Sequence, residues 1–314
     1  MRNCEVKKMK AKGNIALLIT AIAWGTGFIA QKLGNNILPP LTFNAIRQVM
    51  ASIVLCPVLV INLKKSGYLS KEQNSMAKIT YRRNKALIAG VICGVFMLAG
   101  SVLQQIGLLT VSAGKCGFIT ALYIVITPIF SVVLGNKVNV KTFICVAIAL
   151  IGFGFLSLKE GLGGTKPGDW YSLIGAMCFA AQIVAVNYFV DSHNDILISV
   201  LQMAFCGVVG IAMAVIMEDA TWAAIMKGMP TLLYSTFVPT ALGFTLQIVG
   251  QKYTDSTSAA LIMSLESVFA ALFGALILAE RMPAREIFGC VLIFAAVIID
   301  QIRFQKPKKI GAPE

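Results

Sequence analysis

One histidine in 314 residues, His193, is the first scarcity, and it removes the H-E-x-x-H zinc-protease pattern outright. No two of the eight cysteines form a C-x-x-C pair, and most sit inside apolar runs. Such cysteines read as small buried hydrophobes, not as disulfides or metal ligands. No G-x-x-x-x-G-K-[ST] stretch occurs, so this chain has no nucleotide loop with which to drive an ATP-powered step by itself. Charge is scarce too. Only 13% of residues are charged, against about 25% in a soluble domain. Paired aspartates inside apolar runs, the mark of one class of intramembrane protease, are absent from the sequence. The expectation is no catalytic residue, no metal and no cofactor.

What remains is apolar. Hydrophobic residues make up 57% of the chain and the mean hydropathy is +0.80. Ten apolar segments stand out, at 14–34, 41–63, 86–109, 114–135, 140–158, 169–190, 195–217, 229–251, 256–279 and 285–304. Most reach the ~20 residues that a helix needs to cross ~30 Å of hydrocarbon. They are continuous runs, not short alternating ones, so they are read as helices and not as barrel strands. The start of the chain, MRNCEVKKMKAKG, imitates a signal peptide, but its apolar run continues past Ala23 to about Leu38, and a retained first span is expected.

The net charge of +13 comes without a basic face carrying interleaved aromatics, so nucleic acid is not the expected partner. The Lys and Arg residues lie in links and tails. With the N-terminus in the cytoplasm, 19 of the 27 fall inside, 6 outside and 2, Lys32 and Arg47, within spans. This bias places both termini in the cytoplasm. The 64–85 link, KKSGYLSKEQNSMAKITYRRNK, reads as a solvated basic connector near anionic lipid headgroups.

The halves align weakly with one another. AIAW (21–24) matches AMCF (176–179) at an offset of 155, which sets Arg47 on Gln202. LTVSAGK (109–115) matches YTDSTS (253–258) at an offset of 144, and LGNK (134–137) falls on LAER (278–281). Five spans per half is an odd number, so the second half starts on the opposite face. The fold class expected is an all-α membrane protein of ten transmembrane helices in two five-helix inverted repeats, 14–158 and 169–304.

Four stretches carry a resemblance to a known family: AIAWGTGFIAQK (21–32), LTFNAIRQVMAS (41–52), GLLTVSAGKCGFITALYIVITPIFSVVLG (107–135) and the run from Ser256 to Ile299. In order and spacing they resemble drug/metabolite transporters of the ten-span EamA type, over nearly all of 14–304. The resemblance implies a cytoplasmic-membrane carrier, often an exporter of amino acids or other small metabolites, with a central cavity between the repeats. The sequence departs from the family pattern at Ser267, where a proline often follows the glutamate, and over Tyr123–Pro128, so the substrate does not carry over from relatives.

Candidate binding residues follow from polar groups inside spans. Trp24, Phe28 and Gln31 stand at i, i+4 and i+7, one face of the first helix, and read either as a cavity wall or as ordinary packing. Arg47 reads either as snorkelling to the outer headgroups or as clamping a substrate carboxylate. Gln104, Gln105, Gln182, Asn187 and Gln247 supply amides that bond across helices or line a wet cavity, and Tyr123 adds a hydroxyl and a ring. Glu266 lies about ten residues into an apolar run, where a carboxylate costs roughly 2.5–3.5 kcal/mol on insertion scales. It reads as a proton carrier or as a structural bond between helices. Glu280–Arg281, Arg285–Glu286 and Asp300–Arg303 read as local charge pairs, and His193 as a solvated loop residue. The function expected is secondary transport of a small organic solute by rocking of 14–158 against 169–304, with a proton or counter-substrate as coupling partner. A channel and an intramembrane enzyme are the alternatives.

Overall fold

The computed structural model describes residues 2–66, 74–157, 166–190, 194–278 and 284–301. Among them every regular element is helical. The first five helices are α1 (Arg2–Asn35), α2 (Pro40–Ser66), α3 (Met76–Thr110), α4 (Ala113–Val133) and α5 (Val140–Ser157). The second five are α6 (Pro167–Val190), α7 (Asp195–Met217), α8 (Trp222–Gln251), α9 (Ser256–Met263 and Glu266–Leu278) and α10 (Ala284–Gln301). Eight are long and apolar enough to cross a membrane, and Val140–Gly152 and Ile287–Asp300 are shorter apolar helices. Each of the ten expected segments holds one helix.

Three boundaries differ from the sequence reading. The 64–85 link is not all connector, because α3 begins at Met76, where Ser75 caps it by accepting from the Lys78 amide at 3.3 Å. Lys and Arg are good helix formers, so a capped basic stretch continues the span outward. α1 begins at Arg2, and α8 starts at Trp222 with Thr221 as its cap. Residues 67–73, Glu280–Arg281, His193 and Arg303 lie outside the described residues. Asp300 is held by Thr142, whose hydroxyl donates to its carboxylate at 2.8 Å.

Polarity is distributed as lipid requires. Ile53, Val58, Val60, Ile61, Val208, Val215 and Ile216 are exposed, whereas Asn44, Gln48, Gln105, Gln202 and Gln247 are wholly buried. Between such helices there is no hydrophobic drive to associate, so close packing and interhelical hydrogen bonds must hold them. Glycines provide the approach. Gly168 faces Gly107 and Thr110, and Gly175 faces Gly100 and Gln104, so α6 runs antiparallel to α3. In the same way Gly13 faces Gly250 and Gly27 faces Pro239, so α1 runs antiparallel to α8.

The principal pairings have a regularity. Exchanging each helix for the one five places later turns α3–α6 into α8–α1 and α1–α9 into α6–α4, and maps α2–α7, α4–α9 and α5–α10 onto themselves. Both α4 and α9 are interrupted mid-span, at Leu122 and at Ser264–Leu265. The chain tightens there through i→i−3 bonds, Leu122 to Ile119 and Ser267 to Ser264. At the offset of 144 Leu122 falls on Glu266, so the two breaks lie within two residues of equivalent positions.

A side chain at Gly168 would place Cβ 2.5 Å from the Gly107 carbonyl oxygen. Backbone cannot step aside as a side chain can. Gly168→Val is therefore expected to lower stability by about 1–3 kcal/mol, read as a fall in melting temperature of the detergent-solubilised protein.

Candidate functional site

Seven helices, α1, α2, α3, α4, α6, α8 and α9, surround a partly open cavity with about 480 Å³ of empty space between its walls and at its mouth. It lies where α4 and α9 are broken, so that Glu266 opens the second half of α9 and Tyr123 the second half of α4.

One wall is aromatic. Trp24, Phe28 and Gln31 all face the cavity from α1. Trp24 is held by a distortion in α8. Pro239 has no amide proton and its ring crowds the preceding turn, and the backbone there is a π-helix over Thr236–Phe244. Such widened turns recur at functional sites. The Trp24 indole donates to the Pro239 carbonyl at 3.0 Å, and its ring lies 5.0 Å from that of Phe244 at 55°. Thr20, one turn earlier, donates to the Gly243 carbonyl at 3.1 Å. Gly243 is required here, because a Cβ would sit 2.6 Å from the indole nitrogen.

Two ionisable side chains of opposite sign share the cavity. Arg47 is 3% exposed and Glu266 2%. Arg47 lines the cavity and does not reach the headgroups. Its Nε and Nη2 donate to Asn44 Oδ1 at 3.2 and 2.8 Å, which leaves the rest of the fork for another acceptor. The two groups make no ion pair with each other; ion pairs such as Lys115–Asp169 and Lys252–Asp195 lie elsewhere. The Tyr123 hydroxyl stands beside the Glu266 carboxyl, and neither it nor Oε1 of Glu266 meets a partner at full hydrogen-bond geometry.

The amides divide into two groups. Gln104, whose Nε2 donates to Thr120 at 3.2 Å, and Gln182 are in the wall. Gln247 is not. It stands behind Gln182, donating to its Oε1 at 2.8 Å, while Gln182 donates to Gln202 at 3.1 Å. Gln105 and Asn187 are also outside the cavity wall, because backbone and side-chain acceptors on neighbouring helices claim them. The wall contains residues that sequence reasoning did not single out: Ser101, Thr120, Phe179, Ile183, Pro239 and Phe244. The repeat held a signal for two of these. At the offset of 155, Trp24 falls on Phe179 and Phe28 on Ile183.

Contacts one turn beyond the cavity tie the helices together on opposite faces. At the end of α1, Lys32 Nζ donates to the carbonyls of Leu108 and Val111, while Asn35 and Gln105 exchange bonds of 2.6 and 2.9 Å. At the end of α6, Asn187 donates to the carbonyls of Gln251 and Thr254 at 3.2 and 3.1 Å, and Gln251 donates to Ile183 at 2.7 Å. Lys32 and Asn187 are equivalent at the offset of 155. α1 runs parallel to α3 through these contacts and α6 antiparallel to it, so the two ties lie on opposite sides of the cavity.

Residues 11–158 and 166–299 each match the EamA-like transporter family. The chain belongs to that family. It is therefore a multi-pass membrane transporter. Among EamA-like relatives, an uncharacterized transporter of Archaeoglobus fulgidus is 30% identical over 95% of this chain and 88% of its own. A probable amino-acid metabolite efflux pump of Escherichia coli is 22% identical over 97% of this chain and the whole of its own. One solved crystal structure, 15% identical, shares the fold with a TM-score of 0.72, covering 93% of this chain and 96% of that one.

Trp24→Phe keeps the aromatic wall and removes the donor to Pro239. The loss is expected to cost about 1–3 kcal/mol, because a carbonyl freed by the distorted helix loses its partner. A melting temperature equal to that of the parent would contradict this role for the indole.

Proposed function

We propose that this transporter is a secondary carrier, an exporter, that moves small zwitterionic metabolites such as amino acids across the plasma membrane by alternating access. The observation that carries the reading is a pair of buried ionisable groups of opposite sign, not paired with each other, on the wall of one cavity. A charge buried alone is costly, and a substrate that brings the complementary charge to each would offset that cost. The substrate carboxylate takes the open donors of Arg47 and its ammonium takes Glu266. Trp24, Phe28 and Phe179 enclose its side chain, and Gln31, Gln104, Tyr123 and Gln182 supply hydrogen bonds. The name of the Escherichia coli relative agrees with this class of cargo. The carrier makes and breaks no covalent bond in it.

Glu266 is also the coupling group. A carboxylate that holds an ammonium ion on one face and a proton on the other cannot hold both, so release of one follows arrival of the other. The two repeats, 14–158 and 169–304, supply the symmetry of the cycle. The tightest packing crosses between them, which argues for one unit of α3, α4 and α6 working against one of α1, α8 and α9. The ties at Lys32 and Asn187 join these units on opposite faces, so opening either face breaks one tie and keeps the other. Loop charge places both termini in the cytoplasm.

Thermal-shift screening of the purified carrier against amino acids, nucleosides, sugars and amines tests the cargo, since a ligand of the folded state raises its melting temperature. Arg47→Gln is expected to weaken the shift given by an amino acid by tenfold or more in concentration, from loss of a charge-assisted bond of about 1.5–3 kcal/mol. An unchanged midpoint in Arg47→Gln would exclude the carboxylate clamp. In sealed vesicles Glu266→Gln should abolish flux driven by a pH gradient; pH-driven flux at the parental rate would remove Glu266 from coupling. Lys32→Asn, which gives both faces the same side chain, should speed hydrogen exchange of the amides in 109–116 relative to those in 253–258. Equal exchange in variant and parent would show that Lys32 holds no gate.

A further inference from the structure

We infer that the groove between α3 and α7 holds an acyl chain of an anionic phospholipid, with the lipid phosphate on Arg83. The groove is walled by Leu87 and Val91 from α3 and by Leu201, Phe205 and Val208 from α7, and it has an empty volume of about 590 Å³. Its floor is set by glycines. A Cβ at Gly90 would lie 2.4 Å from Leu201 Cβ, and one at Gly94 would lie 2.8 Å from the Phe205 ring. The helices therefore meet at the glycines, and the larger side chains stand proud on either side. From Leu201 to Val208 the groove follows about 10 Å of helix, the length of a good part of one fatty chain.

The charge at its mouth selects the headgroup. Arg83, Leu87 and Val91 are spaced by four residues, so the guanidinium stands on the stripe that forms the wall, one turn outward. Arg83, Leu87 and Val91 are all exposed. Lys78, Arg82 and Lys85 share that end of α3, which contains no acidic residue along its length. Lys85 lies 4.8 Å above the exposed ring of Tyr81. Tyrosine beside cations marks the depth of the headgroups. The acidic residue at the start of α7, Asp195, is engaged by Lys252 at 3.1 Å and does not neutralise the mouth. A second copy meeting this face through a two-fold axis would bring two cationic mouths together. A phospholipid with an anionic head and a fatty tail complements both parts at once.

Native mass spectrometry of the purified carrier, titrated with phosphatidylglycerol and with phosphatidylcholine, tests this independently of transport. The parent is expected to retain phosphatidylglycerol about fivefold better, the effect of one cation near an anionic headgroup. Arg83→Gln should abolish that preference by lowering phosphatidylglycerol retention more than phosphatidylcholine retention, and Arg83→Lys should keep most of it. Val91→Trp, which fills the groove, should reduce retention of both lipids. Glycerol phosphate should not displace the lipid, because it has no chain for the groove. Equal retention of the two lipids by the parent would overturn the proposal, as would a preference that survives Arg83→Gln. Retention of both lipids unaltered in Val91→Trp would reject the groove. A dimer that loses its partner copy in Val91→Trp would assign the face to a second copy.

Discussion

Hydrocarbon offers no hydrogen bonds, and this one constraint orders the molecule. Backbone groups inside it must be satisfied by the helix itself, and side-chain polar groups must turn away from lipid. The protein is accordingly polar within and apolar without. Gln48, Gln105, Gln202 and Gln247 are wholly buried, while Ile53, Val208 and Ile216 face outward. Interior amides find one another across helices, as in the run from Gln247 to Gln182 to Gln202. Where helices need only to touch, glycine removes the side chain and lets backbones approach.

The same constraint makes the interruptions informative. A helix is the cheapest way to satisfy backbone in lipid, so a break in one must be compensated. The π-helical turn of α8 has its carbonyls met by Trp24 and Thr20. The breaks in α4 and α9 are tightened by i→i−3 bonds. All three bound the cavity, where irregular backbone is screened from lipid by protein. The broken helices thus locate the site and position Tyr123 and Glu266 at the start of half-helices. A helix N-terminus favours negative charge, which suits the carboxylate.

Much of this was legible beforehand. The ten spans follow from uninterrupted apolar length. Trp24, Phe28 and Gln31 were recognisable as one face because helical spacing is rigid. Arg47 and Glu266 announced themselves through the cost of charge in lipid. Asn187, Gln105 and Gln247 carried the same signal and yet stand outside the cavity wall. An amide in a span indicates an interior position, and an interior has many partners besides a ligand. Phe179 and Ile183 were missed because apolar side chains in apolar runs carry no contrast, although the repeat alignment put them opposite Trp24 and Phe28.

The sequence by itself determined the class of protein, the number and order of its helices, and which polar groups must avoid lipid, because these depend on local composition and on the period of a helix. Tertiary structure alone decided which helices pair across the two halves, that α8 loosens around Pro239 to meet Trp24, and that Arg47 and Glu266 share a cavity without meeting. Those outcomes depend on distances between residues far apart in the chain. Helical periodicity assigns a face to each side chain, but only packing assigns that face a neighbour.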